Sequence, residues 1–146
     1  MSIKEEKIKE YLKSNQTIIL TTVGKDASPD VRTLGGYGIS EYEVFFSTSK
    51  ESNKVKQLEQ NKEVAILFQH ENQLITDFFN VTIYGEAVLL DKPEDFEKAK
   101  EYISARKPSL KINTDTHNIY QVIPKKIKVL DFKEHNPKER VSIIEL

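Results

Sequence analysis

Strand-like segments follow one another along this chain with few helices between them, and this order most constrains the fold. β-Branched and aromatic residues dominate the stretches 17–23, 44–47, 63–70 and 78–90, as is typical of β-strands. Parallel strands need a long crossover connection, whereas strands that follow each other through short turns pair antiparallel. The pattern therefore predicts a mainly β protein with an antiparallel sheet closed into a small barrel, and not an alternating βαβ fold.

Further strands are predicted over residues 30–40, 118–123 and 126–132, and three helices over 2–14, 52–60 and 93–107. The last helix carries the clearest signals, because Pro93 suits a first helical position and acidic residues follow it. No linker, repeat or low-complexity tract interrupts the 146 residues. We therefore expect a single domain over residues 1–146.

Composition excludes several classes of function. The chain has no cysteine, so disulfides, thiolate catalysis and cysteine-ligated metals are ruled out. Its formal net charge of -1 provides no basic field, and no aromatic residues interleave the lysines of residues 50–62, so no nucleic-acid partner is expected. No signal-peptide core opens the chain and no apolar run is long enough for a bilayer. These absences predict a cytoplasmic protein with no membrane partner.

The familiar catalytic motifs are missing. Gly35, Gly36 and Gly38 lack the spacing of a dinucleotide-binding loop, and neither a P-loop nor a G-x-S-x-G elbow occurs. The three histidines lie far apart in the sequence without ligand spacing, so no metal site is predicted. No residue stands out as a catalytic acid, base or nucleophile, and the catalytic residues stay unassigned.

The segment FFSTSKESNKVKQLEQNK, residues 45–62, joins a strand to a helix whose front is rich in lysine. This placement is unusual, because the positive end of the helix dipole normally favours acidic residues in the first turn. Hydroxyls, helix amides and a lysine at such a junction can hold a phosphate. The alternative is a solvated helix that begins with serine and carries surface lysines.

Two further polar residues lie within predicted strands. If Val31 faces the core, Arg32 faces outward or into a cleft, where its guanidinium can clamp a phosphate. The alternative is an exposed arginine on an edge strand, without a ligand. Asn80 interrupts an apolar strand, and its carboxamide suits either the edge of a planar heterocycle or a neighbouring backbone at a bulge.

These motifs together resemble the pyridoxamine 5'-phosphate oxidase-like family of FMN-binding split β-barrels, and most closely its general stress protein branch. The resemblance follows Arg32-Thr33-Leu34, FFSTSKESNKVKQLEQNKEVAILF, NVTIYGEAVLL and YQVIPKKIKVLDF in order, over roughly residues 5–132. It implies a six-stranded antiparallel split barrel of Greek-key type. It also implies a homodimer with FMN sites at the interface between the two subunits.

The resemblance carries FMN-binding roles onto particular residues. Arg32 and the triplet Ser52, Asn53 and Lys54 would contact the phosphate, with Asn53 standing where larger members place arginine. Both Arg32 and Lys54 are expected to face solvent in the empty site. The remaining predicted contacts, with the flavin ring and ribityl chain, come from Thr33, Leu34, Phe46, Ser47, Thr48 and Asn80.

Two departures argue against the vitamin enzyme itself. Tyr37 stands where the true oxidase has a lysine for the substrate phosphate, and no tryptophan or Arg-Leu-His-Asp-Arg-type segment follows the last predicted strand. The resulting hypothesis is a flavoprotein that passes electrons from a nicotinamide donor to a small acceptor, but does not oxidise pyridoxamine phosphate. The alternative is a protein that binds flavin, haem or deazaflavin for storage or stress-related sensing, without turnover.

Overall fold

The computed structural model describes residues 3–146 and shows a mainly β protein. Helices α1, α2 and α3 span Ile3–Ser14, Asn53–Gln60 and Pro93–Arg106. The strands β1 to β8 span Ile18–Val23, Pro29–Leu34, Gly38–Ser40, Glu43–Ser49, Glu63–Phe68, Phe79–Leu89, His117–Asp131 and Val141–Glu145. None of the helices within residues 3–146 is long and apolar enough to cross a membrane.

All the strands join one curled antiparallel sheet in the order β2-β1-β5-β6-β7-β4-β3. Strand β8 pairs with the C-terminal part of β7. Residues paired across such a sheet share a face. The row Leu20, Ile66, Ile83 and Ile127 therefore points to one side, where all four are fully buried. This row lies at the centre of the main core, and the predicted mainly β split barrel is confirmed.

The described residues form eight strands, whereas the resemblance implied six, and close packing explains part of the difference. The segment 30–40 divides into β2 and β3, because the chain between them turns tightly against α3. A Cβ atom on Gly36 would lie 2.6 Å from Leu110 Cδ1, and one on Gly38 would lie 2.7 Å from the Ile103 amide nitrogen. The apolar residues near the C-terminus add β8.

The two strands predicted at 118–123 and 126–132 form one long strand, β7. The pairing shifts register between Tyr84 and Gly85, opposite Pro124. A proline cannot donate to the ladder, so an interior strand tolerates it only at such a bulge. A Cβ atom on Gly85 would lie 2.2 Å from the Ile123 carbonyl oxygen, which explains the glycine at this position.

Helix α3 packs outside the barrel and makes a second, smaller core. Its buried face, Phe96, Ala99 and Ile103, meets Phe45 of β4 and Ile119 of β7. The successive residues Phe45 and Phe46 point to opposite faces of β4, so this strand contributes to both cores. The core therefore has two layers that share one sheet.

Candidate functional site

Arg32 faces inward, beneath helix α2. It pairs with Leu20 across the sheet, while Val31 is 61% exposed, so the alternative with Val31 in the core is wrong. Its guanidinium donates hydrogen bonds to Thr22 Oγ1 at 2.8 Å, Asp30 Oδ2 at 2.6 Å and Gln57 Oε1 at 3.1 Å. The Arg32 side chain is only 19% exposed, which corrects the expectation that it faces solvent.

Gln57 of α2 joins these partners into one network. Its amide donates to Asp30 Oδ2 at 3.1 Å, and its carbonyl accepts from the Thr22 hydroxyl at 2.6 Å. The hydrogen bond from Gln57, followed by the charge of Arg32, holds the pKa of Asp30 below its usual range. An ionised carboxylate therefore occupies part of the space around the guanidinium.

The start of α2 has no side-chain cap among the described residues. Ser52 occupies the N-cap position with an extended backbone, but its hydroxyl bonds to Thr48 Oγ1 at 2.8 Å instead of a helix amide. The first amides of a helix have no carbonyl partners within the helix and carry partial positive charge. This end of α2 can therefore accept an anion.

Lys54 adds a second cation beside Arg32. Its side chain is half-buried rather than facing solvent, and burial lowers its pKa, as does the positive charge of Arg32, while Asp30 opposes both effects. Lys54 and Gln57 are three residues apart on α2, so they lie on the same side of the helix. Two cations facing one carboxylate leave an excess positive charge in a half-buried position, which a phosphate would compensate.

We call Arg32, Thr48, Ser52 and Lys54, together with the first turn of α2, the cradle. All four residues were named as cofactor-binding candidates from the sequence, whereas Thr22, Asp30 and Gln57 were not. A signal for Asp30 was present, because residues i and i+2 of a strand share a face. Gln57 could have been found from its helical spacing relative to Lys54. Thr22 gave no such signal, because its position depends on the pairing of β1 with β2.

The other predicted residues fall into two groups. Phe46 and Leu34 are buried in the main core, where the Phe46 ring stacks on Tyr120 with centroids 5.5 Å apart. Ser47 is half-buried, and Asn53 is exposed at the first position of α2. Thr33 is exposed on the outer face of β2, opposite to Arg32.

Asn80 lies apart from the cradle, on the outer face of β6. Its Oδ1 atom accepts from Gln73 Nε2 at 2.7 Å, so it holds the loop between β5 and β6, a role that sequence reasoning did not find. Thr33 and Thr82 lie in one row across four neighbouring strands, a separation of roughly 14 Å. A single ligand that reached both Asn80 and the cradle would have to extend across the sheet.

Thr33 lines a cleft of about 470 Å³ on this outer face, which we call the sheet cleft. Its walls include Ile19 of β1, Leu67 of β5 and Phe78, so an apolar floor meets polar residues of the loop 69–78. The sheet cleft provides room for a ring system beside β2.

The family model for pyridoxamine 5'-phosphate oxidase matches residues 5–130. This match spans nearly the same residues as the resemblance seen in the sequence. No curated protein matches the chain at a significant level.

Solved structures with similar folds are distant in sequence. A pyridoxamine 5'-phosphate oxidase-related, FMN binding protein from Nostoc punctiforme is 17% identical, with a TM-score of 0.69 over 100% of this chain and 97% of that chain. A conserved hypothetical protein from Mycobacterium tuberculosis is 18% identical, with a TM-score of 0.76 over 91% and 86%. A heme binding protein from Mycobacterium smegmatis is 12% identical, with a TM-score of 0.82 over 99% of this chain but only 59% of that chain. At these identities the likeness establishes the fold.

Proposed function

This chain belongs to the pyridoxamine 5'-phosphate oxidase family, and we propose that it is a flavoprotein that binds FMN and passes electrons from a nicotinamide donor to a small acceptor. The observation that carries the proposal is the cradle, where half-buried Lys54 lies beside Arg32 at an uncapped helix start. Such a site fits a dianionic phosphate monoester better than any neutral group. Bound FMN would supply the redox chemistry, and the protein would supply position and charge.

The chain's own residues divide the work of binding FMN. Lys54, Ser52 and the first amides of α2 would hold the phosphate, with Thr48 orienting the Ser52 hydroxyl. Arg32 would contribute its charge from beneath. Thr33 and the backbone of Leu34 would border the ring in the sheet cleft, with Phe46 and Ser47 supporting the segment between. Asn53 would lie at the rim, and Asn80 would act only if the ring extends across the sheet.

Asp30 sets the condition under which a phosphate can bind. It already pairs with Arg32 at 2.6 Å, so an incoming phosphate must share or displace this carboxylate. Like charges in a half-buried site repel, and the carboxylate therefore weakens phosphate binding. We infer that this protein binds FMN less tightly than the same cradle would without Asp30.

Tyr37 supports the proposal that pyridoxamine phosphate is not the substrate. Its ring is 1% exposed and its hydroxyl donates to the carbonyl oxygens of Leu12 and Asn15. The residue at this position is therefore part of the core and cannot reach a substrate phosphate.

A homodimer is proposed on the basis of the outer face of the sheet. Val31, Val141 and Ile143 are 61%, 51% and 53% exposed, on a face that also carries the sheet cleft. A second copy seated there would cover these side chains and close the cleft. Sedimentation of the purified protein would test this, with a monomer contradicting the proposal.

A second candidate is haem binding without turnover, because the solved heme binding protein shares this fold at a TM-score of 0.82. Bound haem and bound FMN have distinct visible spectra. Absorption of the purified chain and a haemin titration therefore separate the two candidates. A Soret band with no saturable FMN binding would favour haem.

The decisive experiment is an FMN titration of wild type and of the double variant Arg32→Ala/Lys54→Ala. Each charged hydrogen bond contributes about 1.5–3 kcal/mol, so we expect affinity to fall at least about 100-fold. The matched control is Lys50→Ala/Lys56→Ala, which removes two exposed lysines from the same segment and should change affinity little. Reduction of bound FMN by NADH or NADPH tests the electron donor.

Two results would contradict the proposal. Equal FMN affinity in wild type and the Arg32→Ala/Lys54→Ala variant would show that the cradle is not the phosphate site. Bound FMN that neither NADH nor NADPH reduces would contradict the oxidoreductase part alone.

A further inference from the structure

A second cleft, of about 590 Å³, lies between α1 and the loop of residues 69–78. This volume is in the range of small-molecule sites. We call it the helix–loop cleft, and the residues that matter for it are Lys7, Tyr11, His70, Gln73, Asp77 and Phe79. None of these residues belongs to the cradle.

The cleft has an aromatic wall. The Tyr11 ring meets the Phe79 ring edge-on, with centroids 4.8 Å apart at 78°, and meets the His70 ring at 5.7 Å and 76°. Edge-to-face arrangements of this kind hold rings in fixed positions. A planar ligand could pack against this wall once the Lys7 side chain, whose ammonium lies over the Phe79 ring, turns aside.

His70 presents a hydrogen-bond donor to the cleft. Its backbone amide donates to the Tyr11 hydroxyl oxygen at 3.1 Å, and the same hydroxyl lies 2.9 Å from His70 Nδ1. Because the hydroxyl oxygen accepts from the amide, its own hydrogen is available to donate to Nδ1. A neutral imidazole that accepts at Nδ1 carries its hydrogen on Nε2. Among the described residues, no group accepts a hydrogen bond from Nε2.

Gln73 makes the opposite wall rigid. Its amide donates to Asn80 Oδ1 at 2.7 Å and to the His70 carbonyl at 3.1 Å, and its own carbonyl accepts from the Phe79 amide at 2.9 Å. Both hydrogens and one acceptor position are therefore used within the protein. The loop is held in place before any ligand arrives, which lowers the entropic cost of binding.

The charges around the cleft balance. Its lining includes two lysines, Lys7 and Lys133, and two carboxylates, Glu10 and Asp77. The Lys7 ammonium is 4.9 Å from the centre of the Phe79 ring. A charged ligand would gain from one pair and be repelled by the other. The cleft therefore favours an uncharged ligand.

We propose that the helix–loop cleft binds a small, uncharged planar ring that carries a carbonyl oxygen, of the quinone class, with the ring on Tyr11 and Phe79 and the oxygen accepting from His70 Nε2. His70, Asn72 and Gln73 line both this cleft and the sheet cleft. A ligand here would therefore lie next to the region proposed for the flavin ring. The choice of the quinone class rests on the proposed function, since such compounds are electron acceptors, whereas the pocket itself does not depend on FMN.

The test is binding of duroquinone to the 146-residue chain without added flavin, measured by calorimetry or by NMR. Its fully substituted ring cannot add to lysine side chains. We expect saturable binding, and a shift of the His70 Nε2 proton on titration. Durene, which has the same ring and methyl groups without the two oxygens, should bind about 5–10-fold more weakly, as expected for the loss of one neutral hydrogen bond.

The variant His70→Leu should weaken duroquinone binding by about 5–10-fold and leave durene binding unchanged. His117→Leu is the matched control, because His117 bonds to Thr116 in the turn before β7 and does not line the cleft. Absence of saturable duroquinone binding, or equal losses in the two variants, would overturn the proposal.

FMN titrations of the same samples separate this inference from the proposed function. Tight FMN binding without duroquinone binding would reject the helix–loop cleft alone. Duroquinone binding that depends on His70, in a chain that binds no FMN, would keep the cleft and reject the flavoprotein proposal.

Discussion

Two arginines anchor two regions of this protein, and their partners differ in kind. Arg106, at the end of α3, donates to backbone carbonyls of Tyr37 at 3.1 Å and Lys13 at 2.5 Å, and also to that of Asn15. Its guanidinium carbon lies 4.1 Å from the centre of the Tyr37 ring. Within residues 3–146, the partners of Arg32 in the cradle are all side chains, and Lys54 is a neighbouring cation.

The difference indicates which arginine serves the fold and which serves a ligand. Backbone carbonyls cannot move away without displacing the chain, so Arg106 fixes the end of α1 against α3 and the barrel. Side-chain partners can turn aside at little cost, so Arg32 can exchange them for a phosphate. The comparison predicts that removing Arg106 mainly affects stability, whereas removing Arg32 mainly affects binding.

The largest expected effect is that of Arg106→Ala on stability. The substitution removes the arginine donor from the carbonyls of Tyr37 and Lys13, leaves the Asn15 carbonyl with the Tyr37 hydroxyl as its donor, and removes the cation–π contact. We expect a loss of about 3–4 kcal/mol in the free energy of unfolding. Urea denaturation measures it. Arg32→Ala provides the contrast, with an expected loss of about 1 kcal/mol or less because its ion pair is partly exposed. Equal losses in the two variants would remove the distinction between the two regions.

The pH dependence of stability provides a second test of the Arg106 region, because Arg106 lies over the Tyr37 ring. Burial raises the pKa of Tyr37 to about 12, above its ordinary value of 10.0. Since the raised pKa favours the protonated tyrosine in the folded state, its stabilising effect is complete below pH 10 and is lost as the pH rises toward 12. A shift of this size corresponds to roughly 2–3 kcal/mol.

The measurement is the difference in unfolding free energy between wild type and Tyr37→Phe as a function of pH. The phenylalanine variant lacks the titrating group, so subtraction removes the contributions of lysines that titrate in the same range. We expect a constant advantage for wild type below pH 10 and a shrinking one above it. A difference that stays constant up to pH 12 would show that burial does not raise the pKa of the Tyr37 hydroxyl.

The elements of the fold were predictable from the sequence where hydrophobic periodicity is strong. Helix α3 and strands β1, β5 and β6 lie within one or two residues of their predicted bounds, because each buries a regular set of side chains. The split of 30–40 and the fusion into β7 could not be predicted, since both depend on contacts between distant residues such as Gly36 with Leu110 and Gly85 with Ile123. Ser2, where the first helix was predicted to begin, lies outside the described residues.

The residues of the cradle were named from the sequence, but the direction of the Arg32 side chain was not predicted. The spacing of Ser52 and Lys54 on α2 is local information, which a sequence contains. The direction of the Arg32 side chain depends on which face of β2 meets the core. The sequence PDVRTL has no regular apolar alternation that would identify this face. The single domain over 1–146, the stress-protein branch, the homodimer and the cytoplasmic location stay predictions.

The smallest expected effect is that of Asp30 on FMN affinity. Asp30 is a charged partner of Arg32, whereas Arg106 bonds to backbone carbonyls. Asp30→Asn keeps the shape and the hydrogen-bond acceptor but removes the negative charge that competes with a phosphate. FMN should bind several-fold more tightly, since a like charge in a half-buried site is removed. Riboflavin, which lacks the phosphate, should bind Asp30→Asn and wild type equally. If both ligands gain alike, or FMN binds more weakly, then Asp30 supports the site instead of competing for it, and Arg32 would be a fixed anchor like Arg106.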